Sequence, residues 1–415
     1  MSKTRVSIDG IDFLINGKKT YSDISGSNPE NHGLLWNARF IQGIFDDKAN
    51  PERFARFGFD KWDPEAQTDR LIEALPEWYK YGLRAFSVGL QGGGPCFTID
   101  NLTINNNPFS DDGTTIDPAY LNRLDRLIRA ADEIGMVVIV TYFYGDQVRR
   151  IKDGIGVRNA VKTASNFLRD KKYTNTIINV SNEMDIPANS CHKIIQEPEG
   201  MAYLIDFARE ESGGMLVGCS GGGGFRNREI SESSDIVLIH GNNQTRQHLY
   251  NMISDIKKWT PDKPIVCNED SNAIGQIKVA EMTHTSWGYY NNMTKQEPPT
   301  NWVILPGEDT FFALRMALAI GIEVELPPEE DQFYMQGLEP HMEYEGKRWL
   351  RIASLYPEKI DYVEFFKNNK LYYTAFDEPF SVHFLQTWKQ GSVEYQENDA
   401  WTAFIYLRDG RVIKK

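Results

Sequence analysis

From residue 39 onward the chain repeats one pattern eight times: a short apolar, β-rich run, then a stretch with helical periodicity. The runs fall at 39–45, 85–88, 137–142, 176–180, 215–218, 236–239, 264–267 and 285–289. Between them Asp63-Pro64 and Asp117-Pro118 read as helix starts, with Asp as the cap and Pro in the first turn. Leu121, Leu124, Ile128, Ala131 and Ile134 recur at helical spacing before Gly135. Further helices are expected near 157–169, 199–211 and 246–258, and a last one at 309–320. The run 137–142 is unbroken, as a strand buried on both faces should be. Eight such units over 35–324 predict an α/β chain folded as a (β/α)8 barrel. A doubly wound open sheet also alternates, but no GxGxxG follows the first strand.

The flanks differ. Residues 1–34 read as a β-hairpin and lead-in loop, with Val6-Ser7-Ile8 and Phe13-Leu14-Ile15 as strands and Asn16-Gly17 as a turn. Beyond Pro327-Pro328 the helical rhythm stops. Strands are expected at 349–353, 362–366, 371–375, 382–385 and 402–407, so 325–415 reads as a small antiparallel β-sandwich domain. Its expected part is to cover barrel surface without supplying catalytic residues; carbohydrate binding is the second reading for it.

Composition excludes several classes. Hydrophobic residues at 41% and charged residues at 25% rule out global disorder. A net charge of −13 and the lack of a Lys/Arg cluster argue against a nucleic-acid partner. No apolar run reaches the roughly 18 residues of a membrane span. Met1-Ser2-Lys3-Thr4-Arg5 leads into no apolar signal core, which leaves a cytoplasmic protein or an exported one whose signal has been removed. Cys96, Cys191, Cys219 and Cys267 form no CxxC pair, so neither structural zinc nor a disulfide framework is expected. Cys219 and Cys267 sit in apolar runs and read as buried thiols.

In barrels of this kind the reacting groups stand at the C-terminal ends of the strands. Following each run gives Asp46 and Asp47 after the first, Gln91 to Gly94 after the second, and Tyr142-Phe143-Tyr144 on the third. The fourth ends in Asn182-Glu183-Met184-Asp185, the sixth in His240-Gly241-Asn242, and the seventh in Asn268-Glu269-Asp270; the eighth carries Trp287. A carboxylate after an apolar strand is costly unless paired or functional. Two glutamates, Glu183 and Glu269, facing each other across the mouth have the geometry of a retaining glycosidase, with carboxyls roughly 5 Å apart.

Asn182-Glu183 at the fourth strand and Glu269 at the seventh resemble the marks of the clan A glycoside hydrolases, retaining β-glycosidases on (β/α)8 barrels. The resemblance covers about residues 35–320. It implies Glu183 as acid/base, Glu269 as nucleophile and Asn182 on the sugar 2-hydroxyl. His240 matches a residue often placed near the nucleophile, and Trp287 a sugar platform. Many members carry an Arg near the end of strand two, where this chain has Ser87; Gln91 or Arg39 is expected to substitute. Tyr144, Asn242 and Asp46 complete the expected substrate-binding set. On this reading Glu183 must be held above the free glutamate value of about 4.3.

Plainer readings stand beside these. Asn182-Glu183 could cap a helix, Asp185 and Asp270 likewise, His240 could be a structural histidine and Trp287 plain core. Only one of Tyr142 and Tyr144 is expected to face the axis, and Tyr144 is taken. Gly221 to Gly224 reads as a mobile loop beside the cleft rather than an anion cradle. The function expected is a retaining glycoside hydrolase acting on a carbohydrate, with no cofactor and no metal ligands assigned. The alternatives are a non-catalytic carbohydrate-binding barrel, or a metal-dependent sugar isomerase using Glu183, Glu269, Asp270 and His240. The sugar, the linkage, endo or exo action and the oligomeric state are left open.

Overall fold

The computed structural model describes residues 2–415. Eight strands follow the alternation: β1 (Asn37–Arg39), β2 (Ala85–Gly89), β3 (Val137–Tyr144), β4 (Thr176–Asn182), β5 (Leu216–Gly218), β6 (Val237–His240), β7 (Ile265–Glu269) and β8 (Gly288–Tyr289). Six form one parallel sheet in the order β8-β1-β2-β3-β4-β5, and β6 and β7 pair with each other, also parallel. The pair is tied to the sheet on both sides. The Asp235 N–H donates to Val217 O at 2.8 Å, and Val266 and Ser286 form a parallel bridge.

The helices between them are set by local chemistry. Asp63 caps α1 (Pro64–Lys80) by accepting from the N–H groups of Glu65 and Ala66, and Asp117 caps α2 (Pro118–Ile134) by accepting from Ala119. Each such cap is worth about 1 kcal/mol. Gly135 ends α2 at φ 88°, a conformation that costs glycine nothing. The period of two is plain in β3. Val138 and Val140 pack in the cluster shared with the helices, while Val137 and Ile139 belong to a second, central cluster.

That central cluster explains the lead-in segment. Val6–Asp9 pairs with Asp12–Ile15, and Asn16 and Gly17, at φ 54° and 78°, turn the chain into Lys18–Lys19. So Asn16-Gly17 does make a turn, but between the second and third strands; the first turn falls at Gly10-Ile11. Phe13 is fully buried against Ala85, Val137, Ile177 and Val266, all at the beginnings of their strands. The hairpin therefore caps the end opposite the strand C-termini.

Two strands are placed differently from the expectation. β1 ends at Arg39, and residues 41–44 are turns. The run 39–45 is buried throughout, and a continuous apolar run cannot be told from a strand by periodicity. β8 is Gly288–Tyr289, so its mouth lies one strand step beyond Trp287.

Past 325 the pairing is antiparallel. Lys370–Ala375, Ile360–Lys367, Trp401–Leu407 and Val412–Lys414 form a four-stranded sheet with shorter pairs beside it, one of them Phe384–Gln386 with Lys389–Gln390. Phe333, Leu350, Ile352, Val363, Phe365 and Ile405 make a core of their own. The attachment to the rest is polar as well as apolar: Arg315 donates to Leu355 O at 2.9 Å, and buried Arg351 donates to Asn291 Oδ1 at 2.9 Å. No helix among the described residues is long and apolar enough to cross a membrane.

Candidate active site

The C-terminal ends of β1, β4, β6 and β7 bring Arg39, Asn182, Glu183, His240 and Glu269 together. One oxygen of each glutamate and one nitrogen of His240 all lie within 4.8 Å of one another. Arg39 is buried, with Nη1 3.0 Å from Glu269 Oε2, and it donates to Asn182 Oδ1 at 3.3 Å. Asn242 Nδ2 donates to the other oxygen of Glu269 at 2.9 Å. His240 Nδ1 stands between the carboxylates, 3.1 Å from Glu183 Oε1 and 3.6 Å from Glu269 Oε2. Glu183 sits at φ 48°, a strained conformation for a non-glycine residue that turns the chain directly after β4.

Burial pushes both carboxyls up. On Glu183 the hydrogen bond and charge of His240 and the charge of Arg39 outweigh it, and the group falls below its ordinary value. On Glu269 burial prevails over Arg39 and His240, and the negative charge of Glu183 adds to the rise. The direction on Glu183 is opposite to the sequence expectation, which had it raised. Arg39 itself is raised: burial opposes its charge, but Glu269, Tyr144, Tyr290 and Glu183 together outweigh burial.

A cleft of about 280 Å³ opens above these groups. Tyr144, Glu183, Asn242 and Glu269 line it, together with Tyr290, the 95–101 loop, Trp388 and Lys389. Tyr290 and Tyr144 flank the Arg39 guanidinium at 5.1 and 5.8 Å from their ring centroids. Burial raises both phenols. Asn182 Nδ2, His240 Nε2 and Asn242 Oδ1 are buried and have no partner within the protein. Unpartnered buried polar atoms at a cleft are what a polar ligand satisfies.

Three residues of the expected binding set lie elsewhere. Trp287 is fully buried, donates Nε1–H to Asp270 at 2.7 Å and packs against Phe312. It is a wall of the core, not of the cleft. Gln91 is also buried; it donates to Asn107 and accepts from the backbone N–H of Tyr144 at 3.0 Å, so it holds Tyr144 from behind. Asp46 accepts from Trp62 Nε1 at 3.0 Å and Asp47 pairs with Arg53, both beyond the turns that follow β1. Tyr142 faces away, its hydroxyl 3.1 Å from Ser165.

Sequence reading missed the 95–101 loop, Lys389 and two aromatic lining residues. Tyr290 follows once β8 is placed at Gly288–Tyr289. Trp388 lies far along the chain, and no local signal marks it. The glycine run after β5 is closely packed. Gly222 donates its N–H to Asp185, and a Cβ on Gly223 would lie 1.8 Å from Asn242 O. No side chain fits there without moving Asn242 off Glu269.

Behind the cleft stand two further carboxyls. Burial pushes Asp270 up to about 8, against the bonds from Trp287 and Ser271, and pushes Glu378 up to about 7, against the N–H of Gly275. A raised carboxyl binds a proton in the folded state that the unfolded chain has released. Its contribution to stability is therefore lost as pH rises from the ordinary 3.8 through about 8. Asp270→Asn should remove that slope, so the melting temperature of the variant relative to wild type should climb steadily across this window. Calorimetry in buffers spanning the window checks it; a pH-independent difference would contradict the assignment.

No protein-family profile matches the sequence, and no curated protein matches it. Among solved structures it is similar to a calcium-binding mutant of β-glucuronidase 2 from Bacteroides uniformis (TM-score 0.47, 10% identity, 99% of this chain and 47% of that one). It is also similar to an endo-β-1,4-mannanase from Thermotoga petrophila (0.46, 11%, 92% and 96%). A third is β-mannanase from the blue mussel Mytilus edulis (0.46, 11%, 76% and 96%). All three are glycoside hydrolases, and the chain spans about half the length of the glucuronidase. These likenesses are too weak to bear on chemistry, which rests on the side chains themselves.

Proposed function

We propose that the protein is a retaining glycoside hydrolase that cleaves β-glycosidic bonds through a covalent glycosyl-enzyme. The observation that carries this is the pair of buried Glu269 and half-buried Glu183, with one oxygen of each within 4.8 Å, clamped by a permanent cation on one side. That separation suits a carboxylate attacking the anomeric carbon directly; an intervening water would need a wider gap. Glu269 is the nucleophile, since Arg39 and Asn242 hold both its oxygens and Arg39 stays charged at any working pH. Glu183 is the acid and then the base.

The pair needs one proton. A glycosidic oxygen docking on Glu183 gains a hydrogen bond only from the protonated acid, and Arg39 compensates the bared Glu269. His240 Nδ1, hydrogen-bonded to Glu183 at 3.1 Å, holds that carboxyl in place beside Glu269. After the sugar is attached, the charge on Glu269 is gone and Glu183 can accept a proton from water.

The strand links support a closed (β/α)8 barrel over 35–324, a hairpin lead-in over 1–34 and a β-sandwich over 325–415. The metal-dependent isomerase reading is disfavoured because Arg39 already supplies a buried positive charge against Glu269, which repels a second cation. Turnover separates the reading from a binding-only barrel. Aryl β-glycosides and polysaccharides, assayed with and without a strong chelator, should give hydrolysis indifferent to chelation. The first-formed product should have the β configuration by NMR; an α product would overturn retention.

A further inference from the structure

We infer that the substrate is the terminal sugar of a glycoside, removed one residue at a time, and that Trp388 of the C-terminal hairpin is the platform on which it sits. The inference rests on the glycosidase reading above and goes beyond it.

The cleft is short. Its volume of about 280 Å³ lies at the lower edge of the roughly 300–1,000 Å³ of small-molecule sites. That holds one pyranose ring and part of a second, where an internal cut in a polymer needs an open groove running past the carboxylates on both sides. Two segments flank the cleft here, and both are fastened. On one side the 95–101 loop is pinned by buried Glu297, which accepts from the N–H groups of Cys96 and Phe97 at 2.6 and 2.9 Å and from the Thr98 hydroxyl.

The other segment is the hairpin of Phe384–Gln386 and Lys389–Gln390. It is bolted to the loops that follow β6 and β8. Asn243 N–H donates to Thr387 Oγ1 at 2.6 Å, Asn292 Nδ2 donates to Trp388 O, and Gln390 Nε2 donates to Met293 Sδ at 3.3 Å. These bonds fix the tip, and the half-buried Trp388 lines the cleft that holds Glu183 and Glu269. An indole face is the apolar surface that stacks on the C–H face of a pyranose. Trp287, the tryptophan the sequence offered for this role, is buried in the core.

The test uses the full-length enzyme, p-nitrophenyl β-glycosides of several hexoses, pentoses and a glucuronide, and β-1,4-linked oligosaccharides labelled at the reducing end. Free monosaccharide should be the sole small product from the earliest time points. Trp388→Ala should raise KM at least tenfold with kcat within about threefold, and Trp388→Tyr should recover most of the loss. Replacing residues 385–389 by a short glycine turn should admit internal cuts. Melting curves of each variant establish folding. A ladder of internal fragments from the wild-type enzyme would overturn the inference, while loss of that hydrolysis in Glu269→Ala would leave the glycosidase reading standing. Unchanged KM in folded Trp388→Ala would equally overturn it. No hydrolysis of any probe by the wild-type enzyme would instead remove the glycosidase reading, and the inference with it.

Discussion

Glu269→Ala is expected to lower kcat by on the order of 10⁴-fold or more, because no second group stands where the attacking carboxylate does. A fluorinated mechanism-based glycoside should label the intact protein once, and peptide mapping should place the label on Glu269. Glu183→Ala should behave differently. It should lose about 10²–10⁴-fold on substrates with poor leaving groups and far less on activated aryl glycosides, which depart without a proton. Azide admitted to the space left by Glu183 should restore turnover and give the β-glycosyl azide. Labelling of a different residue, or an α-azide from Glu183→Ala, would show that the two roles are wrongly assigned.

The second large effect belongs to Arg39. Arg39→Met leaves Glu269 buried without its counter-charge, and breaking a buried pair from one side costs about 3–5 kcal/mol. Equilibrium denaturation should read that loss. The double variant Arg39→Met/Glu269→Met should recover most of it, since no charge is then stranded. Activity should suffer as well. Without the guanidinium, Glu269 rises further above its ordinary value, so it ionises only at higher pH, and the acidic limb of kcat/KM should move upward. Arg39→Lys should rescue poorly, because an ammonium lacks the planar, delocalised guanidinium that Tyr144 and Tyr290 flank and is more strongly hydrated in a buried site. An acidic limb unmoved in Arg39→Met would mean that the limb does not report Glu269.

The parts of the site legible in the sequence were those whose chemistry conflicts with their surroundings. Glu183, His240 and Glu269 each end an apolar strand, and a polar group there has few reasons other than function. The helix starts at Asp63 and Asp117 were legible because capping is local. The end of β1 was not, since Phe40, Ile41, Ile44 and Phe45 are buried in and beside the 41–44 turns as completely as a strand would bury them. That misplacement carried Asp46 into the expected site. Arg39 was named only as a stand-in for an absent arginine, although its own position at the true strand end puts it directly on the nucleophile. Trp287 and Tyr290 differ by one strand step and one residue of alternation. Trp388 lay outside any local rule, because its place depends on how the last hairpin docks on loops more than ninety residues earlier.

The hairpin that buries Phe13 beneath the strand starts has a kinetic meaning under the proposed reading. With that end stoppered and the interior packed, the cleft has a single doorway. Aglycone and freed sugar must leave through the opening by which the next molecule arrives, so traffic is two-way in one lane. The released sugar should then act as a competitive inhibitor, and turnover at high conversion should slow before substrate is exhausted.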